Sequence, residues 1–471
     1  MNADQREQVR DNARYLREVR PIDPDEIHEY VEGQPHPAAV RQVLRELAPE
    51  LDLIERGDGT FEPASLDPVA VAFDGVERLP PAHVRAVEDL LVDAFGPDWH
   101  RGESGDRLRE RVREVKARYL DRASVEYDRL TALGYAVYHL PATYAAAQYV
   151  LGDLVRADRV PARLRVLDVG AGVGGPALGL LDLLPEDALV EYHAVEPSAA
   201  ADVCETLLAG AGRNVHATIH RETAEAFDPD GEYDLLLFAN VLNELDAPAE
   251  TLERYLSALA PAGTAVAIEP ADRNTATGLR TVERAVADDG PATVYAPTVR
   301  LWPNMAPESE CWSFDVRPDI EVPPFQSRLD ETAGGPDHES GEFVNADVQY
   351  AYSLLTMDGE TAIGARGDRS RYARMADADD YVTDRVNLLA IKLSHDLAGA
   401  DANPLYLLGD GSQRIDHYAV LTERSALNDG LEGADYGDLL VFENALVLWN
   451  DDEGAYNVVV DGETVVDVAP T

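Results

Sequence analysis

The sequence predicts an α/β protein with a parallel sheet at its centre, helices before it and an all-β segment after it. Three observations carry this. The stretch Arg163-Leu-Arg-Val-Leu-Asp-Val-Gly-Ala-Gly-Val-Gly-Gly175 reads as a buried strand that runs into a glycine turn and then, at Pro176, a helix. From Leu164 to Glu269 apolar strand patterns alternate with helical spacers, the order of a parallel sheet with helices on both faces. Beyond Asp380 the chain shows strand patterns separated by turns.

Composition narrows the setting. The 471 residues hold 88 acidic against 40 basic side chains, a net charge of -48, and only Lys116 and Lys392 are lysines. Such a surface suits a protein dissolved in near-molar salt, so a halophilic, cytoplasmic protein is expected. At about 1 M salt the Debye length is only ~3 Å, so local arginine contacts with nucleic acid stay open despite the acidity. Cys204 and Cys311 are too few for a disulfide framework and stand in no metal-ligand spacing. The polar start and the lack of a long apolar run predict no membrane segment.

Taken in order, residues 1–20 repeat Val9, Ala13, Leu16 and Val19 at helical spacing, and Asp23-Pro24-Asp25-Glu26 reads as a helix start with Glu26 completing a capping box. A helix with Val40, Val43, Leu44 and Leu47 inward leads to a strand, a glycine turn and a strand over Leu51–Phe61, a winged-helix-like order. Arg41, Gln42 and Arg45 would then face outward on the recognition helix, to meet nucleic acid or protein. Asp106 to Leu120 places Leu108, Val112, Val115 and Tyr119 on one face amid Arg107, Arg109, Arg111, Arg113, Lys116 and Arg118. It reads as a solvated helix with pairs such as Glu114 and Arg118, or as a phosphate-contacting one. An apolar helix over Tyr135–Val155 would pack on the sheet domain.

The glycine turn fits Gly170-x-Gly172-x-x-Gly175, a dinucleotide fingerprint that is weak alone. Asp168 separates two cofactors. A dinucleotide strand stays apolar up to its first glycine, whereas an acid two residues earlier can accept from an ammonium group, such as that of S-adenosylmethionine. One unit later, Leu189-Val-Glu-Tyr-His-Ala-Val-Glu-Pro197 reads as a strand ending in Glu196, whose carboxylate can hold both ribose hydroxyls. The cofactor-binding set is therefore Asp168, Gly170, Ala171, Gly172, Gly174, Glu196 and Asn240.

Further strands are expected over 214–220, 234–239, 265–269 and 347–355, with a mobile acidic loop over 329–341 and a polar separator over 364–380. The tail reads as five strands, 386–393, 405–408, 415–421, 439–448 and 457–468, with a helix near Ser425 between the third and fourth. That is the order of an OB barrel, a fold that binds single strands on aromatic platforms. Tyr406, Tyr418, Phe442 and Trp449 are the platform candidates, or barrel core.

Phe238-Ala-Asn-Val-Leu-Asn-Glu-Leu-Asp246 follows the fourth sheet strand. It lacks both the Asn/Asp-Pro-Pro-aromatic set used on exocyclic base nitrogens and a nucleophilic cysteine. Asn240, Asn243 and Glu244 are the catalytic candidates; they could bind substrate, orient a loop or cap the next helix.

Leu140-Pro-Ala-Thr-Tyr144, Leu167-Asp-Val-Gly-Ala-Gly172, Asn240-Val-Leu-Asn-Glu-Leu245, Ile268-Glu-Pro270 and Tyr295-Ala-Pro297 leading to Cys311-Trp-Ser-Phe314 carry a resemblance. Over residues 135–360 the chain resembles the methyltransferase-like proteins associated with the small ribosomal subunit of mitochondria and prokaryotes. The resemblance implies a class I, Rossmann-like methyltransferase sheet, S-adenosylmethionine binding, contact with small-subunit ribosomal RNA, and a role in ribosome biogenesis. Many members carry a four-cysteine metal cluster after Ala-Pro. Here Thr298 follows Pro297 and only Cys311 remains, so no metal is expected, and Trp302, Trp312, Phe314 and prolines must order residues 297–325. The expected organisation is a helical and winged-helix-like region over 1–100, a helical segment packing on the cofactor domain over 101–160, the methyltransferase-like domain over 161–365 and the OB-like domain over 381–471. A non-catalytic assembly factor and a small-molecule methyltransferase stand as alternatives to RNA methylation.

Overall fold

The structure is a computed structural model that describes residues 1–120, 127–334, 338–399 and 402–469, without the side chains of 118–120. It divides into two units, one of Met1–Ala239, Ala258–Gly263 and Asp319–Ala346, the other of Asn240–Ser257, Thr264–Pro318 and Asp347–Thr471.

The first unit opens with α1 (Ala3–Leu16), α2 (Pro24–Ile27), α3 (Pro37–Leu51) and the hairpin β1 (Leu53–Glu55) and β2 (Phe61–Pro63). Their apolar faces, Val9 and Ala13 with Ile27, Val40, Val43, Leu44, Leu47 and Phe61, share one core. Asp23 caps α2, but Glu26 pairs with Arg20 instead of closing a capping box; the box forms at Asn2 and Gln5. The arginines expected to face outward on α3 keep about 40% of their side chains exposed but are engaged by one carboxylate. Arg41 Nε donates to Glu55 Oε1 at 2.6 Å, Arg45 grips the same buried carboxylate, and Gln42 bonds Glu46. Glu55 N–H also donates to Asn214 Oδ1 at 2.7 Å, and Asn214 Nδ2 to Glu55 O and Glu186 O at 3.2 and 2.8 Å. The hairpin is therefore fastened to the start of a sheet strand. It is not held out as a free wing.

Next come α4 (Pro81–Phe95), α5 (Gly102–Leu120), α6 (Arg129–Tyr138) and α7 (Leu140–Arg156). Helix α4 has no counterpart among the expected elements, and the single helix expected over Tyr135–Val155 is two, broken at His139. In α5 Leu108, Val112 and Val115 are buried as their spacing requires, and most of the described cations have protein partners. Arg109 is buried and donates to His100 O and Leu329 O, Arg111 pairs with Glu114, Arg113 with Glu342, and Lys116 Nζ donates to Glu342 O. These partners favour the structural reading over phosphate contact. The Glu114–Arg118 pair lies outside the described side chains.

The sheet of this unit is β3 (Arg163–Val169), β4 (Leu189–Val195), β5 (Val215–His220) and β6 (Tyr233–Ala239), with α8 (Gly175–Leu183) and α9 (Ala200–Leu208) between. Its order is β5-β4-β3-β6, all parallel. Helix α8 is buried over most of its length and packs closely on α7. The two helices approach so closely that a Cβ on Gly179 would stand 2.7 Å from Tyr144 O and 3.2 Å from Ala147 Cβ. Tyr144 OH and His83 both reach Asp182 Oδ2 at 2.8 Å, tying α7 and residue 83 of α4 to α8.

In the second unit α10 (Pro248–Leu256) precedes β7 (Leu259–Pro270), α11 (Arg273–Ala287), β8 (Thr293–Ala296) and β9 (Asp315–Arg317). After α12 (Pro324–Glu331), which belongs to the first unit, β10 (Val348–Thr356) pairs antiparallel with Ala265–Pro270 of β7, with β8 and with β9. The late strand is thus where the pattern put it, but its neighbours run against it. The expected mobile loop begins instead as α12, and buried Asp330 accepts from Gly341 N and Phe343 N at 2.9 and 3.1 Å.

The tail is a closed five-stranded barrel: β11 (Arg385–Lys392), β12 (Leu405–Gly409), β13 (His417–Leu421), β14 (Leu439–Asn450) and β15 (Ala455–Val460), with β16 (Val465–Val468) added to β14. Its ring runs β11-β12-β13-β15-β14 and closes on β11, with β13 and β15 parallel. The expected fifth strand breaks at Asp461 and Gly462 into β15 and β16, and the short α13 (Gly430–Gly433) starts beyond Ser425. Residues 364–380 do not form a loose separator: Ala365 and Tyr372 pack on the barrel's outside cluster, and Met375 and Ala378 on its core. Of the platform candidates, Tyr406 and Phe442 belong to the barrel core and Tyr418 packs beside Trp302 in the outer cluster, leaving Trp449 exposed with its Nε1 donating to Asp451. Val299, Leu301 and buried Trp302 cover Leu389, Ile391 and Leu407 of β11 and β12, and Trp302 Nε1 donates to Asp410 at 2.7 Å. Phe314 is buried as expected, while Trp312 is half-exposed and donates to Ala271 O at 2.8 Å.

Two glycine substitutions separate packing from helix propensity. Gly179→Ala is expected to lower stability by about 1–3 kcal/mol through crowding against Tyr144 and Ala147. Gly278→Ala, on an exposed part of α11 with open space around it, should raise stability by roughly 0.5–1 kcal/mol. Thermal unfolding in high salt measures both; equal effects at the two sites would refute the packing account.

Candidate cofactor site

Strand β3 delivers Asp168 to the sheet interior because its neighbours Val166, Leu167 and Val169 must be buried there. The carboxyl is 1% exposed; Oδ2 accepts from Tyr192 OH at 2.6 Å, and Oδ1 has no partner among the described residues. Burial pushes this carboxyl up to about 7, against the pull of the Tyr192 hydroxyl and with a push from Glu196. A buried acceptor with one open oxygen has a place for a donor that the chain does not supply.

Past Val169 the backbone turns through left-handed conformations at Gly170, Gly172 and Gly174, with φ of 73°, 54° and 88°. Gly170 N and Ala171 N both donate to Val195 O, at 2.8 and 3.1 Å, which locks the turn onto the end of β4. Gly174 lies over Cys204, whose Sγ would be 3.1 Å from an added Cβ. Glu196 sits one residue past β4. Its Oε2 accepts from Gly172 N and its Oε1 from Ser198 N, each at 3.0 Å, so both oxygens keep a free lone pair.

These groups fit S-adenosylmethionine. Asp168 Oδ1 is a buried acceptor suited to the ammonium, the two oxygens of Glu196 suit a vicinal diol, and the three glycines of the turn let backbone approach a ligand. Six of the seven predicted cofactor residues thus fall on one strand-end arrangement. The seventh, Asn240, belongs to the second unit.

There the run Asn240–Leu245 is fastened by a residue the sequence reading did not single out as functional. Asn240 holds φ 58° and donates its N–H to Ile268 O at 2.8 Å. Glu269, 1% exposed at the end of β7, accepts from Leu242 N at 2.9 Å and from the Asn243 side-chain amide. Burial raises its carboxyl to about 8 despite these donors. Asn243 is thereby a loop-orienting residue, and Glu244 lies on the same short turn. The helix-capping alternative is not realised: the N-cap of α10 is Ala247, with no side-chain bond. An acid closing the apolar run Ala265–Ile268 was the readable signal for Glu269; Tyr192, three residues before Val195, had none.

Among the described residues no group of His, Cys, Asp and Glu could hold a metal ion, and no helix is long and apolar enough to cross a membrane.

Residues 167–265 match a family described as a methyltransferase domain. Residues 6–57 and 376–469 match the N-terminal and C-terminal domains of a domain of unknown function, DUF8157. No curated protein matches the chain. Similar solved structures include the mitomycin 7-O-methyltransferase MmcR, 19% identical over 57% of this chain and 75% of that one, with a TM-score of 0.23. The plantazolicin methyltransferase BpumL, determined with a desmethylPZN analogue and SAH, is 13% identical over 58% and 96%, with a TM-score of 0.31. The CcbJ methyltransferase from Streptomyces caelestis is 23% identical over 27% and 49%, with a TM-score of 0.22. Likenesses at this level carry no functional weight; the family match assigns a methyltransferase domain to residues 167–265.

Proposed function

We propose that this protein binds S-adenosylmethionine through Asp168, Glu196 and the glycine turn, and acts as a methyltransferase on small-subunit ribosomal RNA in ribosome biogenesis. The single observation that carries the cofactor reading is the buried, half-partnered carboxyl of Asp168 beside a turn whose N–H meets Glu196. When bound, the cofactor supplies an electrophilic methyl group. Asp168 would hold the ammonium and Glu196 the ribose, and the glycine turn would admit the cofactor close to the backbone.

The RNA reading is supported by the resemblance over residues 135–360. The helix–helix–hairpin start supports a winged-helix-like module and the barrel's strand order an OB-like one. With Arg41 and Arg45 on Glu55 and the outer face of β11 and β12 covered by Trp302, both serve here as structural supports. The -48 charge supports a high-salt cytoplasm. A non-catalytic assembly factor is the second reading, favoured by one observation: the Asn243 amide is committed to Glu269.

Calorimetry against pH tests the cofactor site. Because the Asp168 carboxyl stands near 7, affinity for S-adenosylmethionine should rise as pH climbs toward that value, by up to about tenfold per unit below it. Asp168→Asn should weaken binding and flatten the rise. The folding linkage has the opposite sense: a carboxyl raised in the folded state stabilises it fully below the unfolded value near 3.8, and that contribution is lost as pH rises through about 7. A wild type with no binding heat, or with pH-independent affinity, would falsify this assignment.

Methylation mapping of ribosomal RNA, with and without the protein, tests the acceptor. A site lost on deletion and restored by wild type but not by Asp168→Asn is expected. Defective small subunits with every methyl group in place would instead establish the assembly-factor reading.

A further inference from the structure

The run Cys311-Trp-Ser-Phe314 of the second unit has no part in the chemistry above. Cys311, Ser313 and Phe314 are buried, whereas Trp312 is 41% exposed. Its neighbours are fixed: Cys311 holds a left-handed φ of 53°, Ser313 Oγ and Tyr436 Oη lie 2.6 Å apart, and Phe314 leads directly into β9. The indole is fixed as well. Its Nε1 donates to Ala271 O at 2.8 Å, and the Phe314 ring lies 5.6 Å away at a 36° tilt. Phe314 is the one ring against it among the described residues, and no cation stacks on it. Ala271 is two residues past Glu269, whose carboxyl holds Leu242 N and the Asn243 amide, and Asn240 N donates to Ile268 O. One strand end therefore carries both the Asn240–Glu244 run and an outward indole.

The chemistry of the ring selects its occupant. With its single donor spent on Ala271, the indole offers only π surface, which stacks on any base and reads none. Arg273, Glu310 and His395, which reach solvent beside the Trp312–Phe314 pair, are polar, so the ring stands in no broad apolar patch of the kind a protein partner buries. Arg273, two residues past Ala271, pairs with Glu310 at the exposed surface. Such a pair is worth little, and a phosphate can take the place of the carboxylate.

We infer that Trp312 stacks a base of single-stranded RNA next to the one presented to the Asn240–Glu244 run, with Arg273 on the adjoining phosphate. This deepens the ribosomal-RNA reading above and rests on it. A ring that cannot read a base edge suits a flanking base and leaves the choice of target to the run beside it. At about 1 M salt the Debye length is ~3 Å, so the phosphate contact is largely screened and the stack carries the affinity.

The full chain, in high salt, is titrated with a labelled, unstructured RNA of about ten nucleotides, followed by fluorescence anisotropy, and with SAH, followed by calorimetry. Trp312→Leu should weaken RNA binding about tenfold or more and Trp312→Phe by less than about threefold. Trp449→Leu, which removes the other exposed tryptophan, should leave it unchanged, and SAH affinity should stay within about twofold in all three. RNA should also quench the tryptophan emission of the wild type and leave that of Trp312→Phe unaltered, a reading that does not depend on how well the leucine variant folds. The inference is overturned if the wild type does not bind the RNA, if Trp312→Leu binds it like the wild type, if Trp449→Leu matches the loss, or if quenching persists in Trp312→Phe. It is also overturned if Trp312→Leu loses SAH together with RNA, which would put the ring on the donor side. Trp312-dependent RNA binding with every ribosomal methyl group in place after deletion would remove the methyl-transfer reading and leave the stacking platform standing.

Discussion

A carboxyl group kept out of water with only one of its oxygens satisfied is the constraint on which the cofactor region depends. A shift of Asp168 from 3.8 to about 7 corresponds to roughly 4 kcal/mol against its ionised form. The sheet tolerates it because Tyr192 donates from the neighbouring strand and because the flanking residues of β3 gain more by burial than this one loses. Groups of this kind persist where a ligand completes them. Glu196 is built on the opposite principle, with each oxygen already anchored by a backbone N–H, so it sets the shape of the turn before any ligand arrives.

Glu269 repeats the design in the second unit. It too is an acid at the end of an apolar strand, raised by burial and answered by an amide and a backbone donor. Its grip on Leu242 and Asn243 explains why Asn-Glu in this run orients a loop. The carboxyl of Asp168 keeps one oxygen open among the described residues, whereas both oxygens of Glu269 are engaged in holding the Leu242–Asn243 turn.

In so acidic a chain the scarce cations are used as cross-links. Arg41 and Arg45 converge on Glu55, Arg280 and Arg300 on buried Glu283, and Arg109 reaches two backbone carbonyls from inside the protein. Both lysines also end on carbonyls: Lys392 Nζ on Leu431 O and Ala434 O, Lys116 Nζ on Glu342 O. A compact ammonium with three donors suits convergent carbonyls, while the planar guanidinium suits carboxylates; this accounts for two lysines surviving among so many arginines. These partnerships brace the terminal modules from within.

The sequence by itself determined the glycine turn, the alternation of strands and helices and the strand run of the barrel. Each is encoded within a few residues, by backbone freedom at glycine or by a periodicity of two or 3.6 residues. Only the tertiary structure decided which charges are used up. Arg41 and Arg45 look free on a helical wheel but meet Glu55 across a turn; Tyr406 and Phe442 look like platforms but face the barrel's interior. Tyr192 and Asp168 are 24 residues apart in the chain and meet only because their strands pair. Burial and long-range partners set a group's ionisation and its availability to a ligand, and neither is written in local spacing.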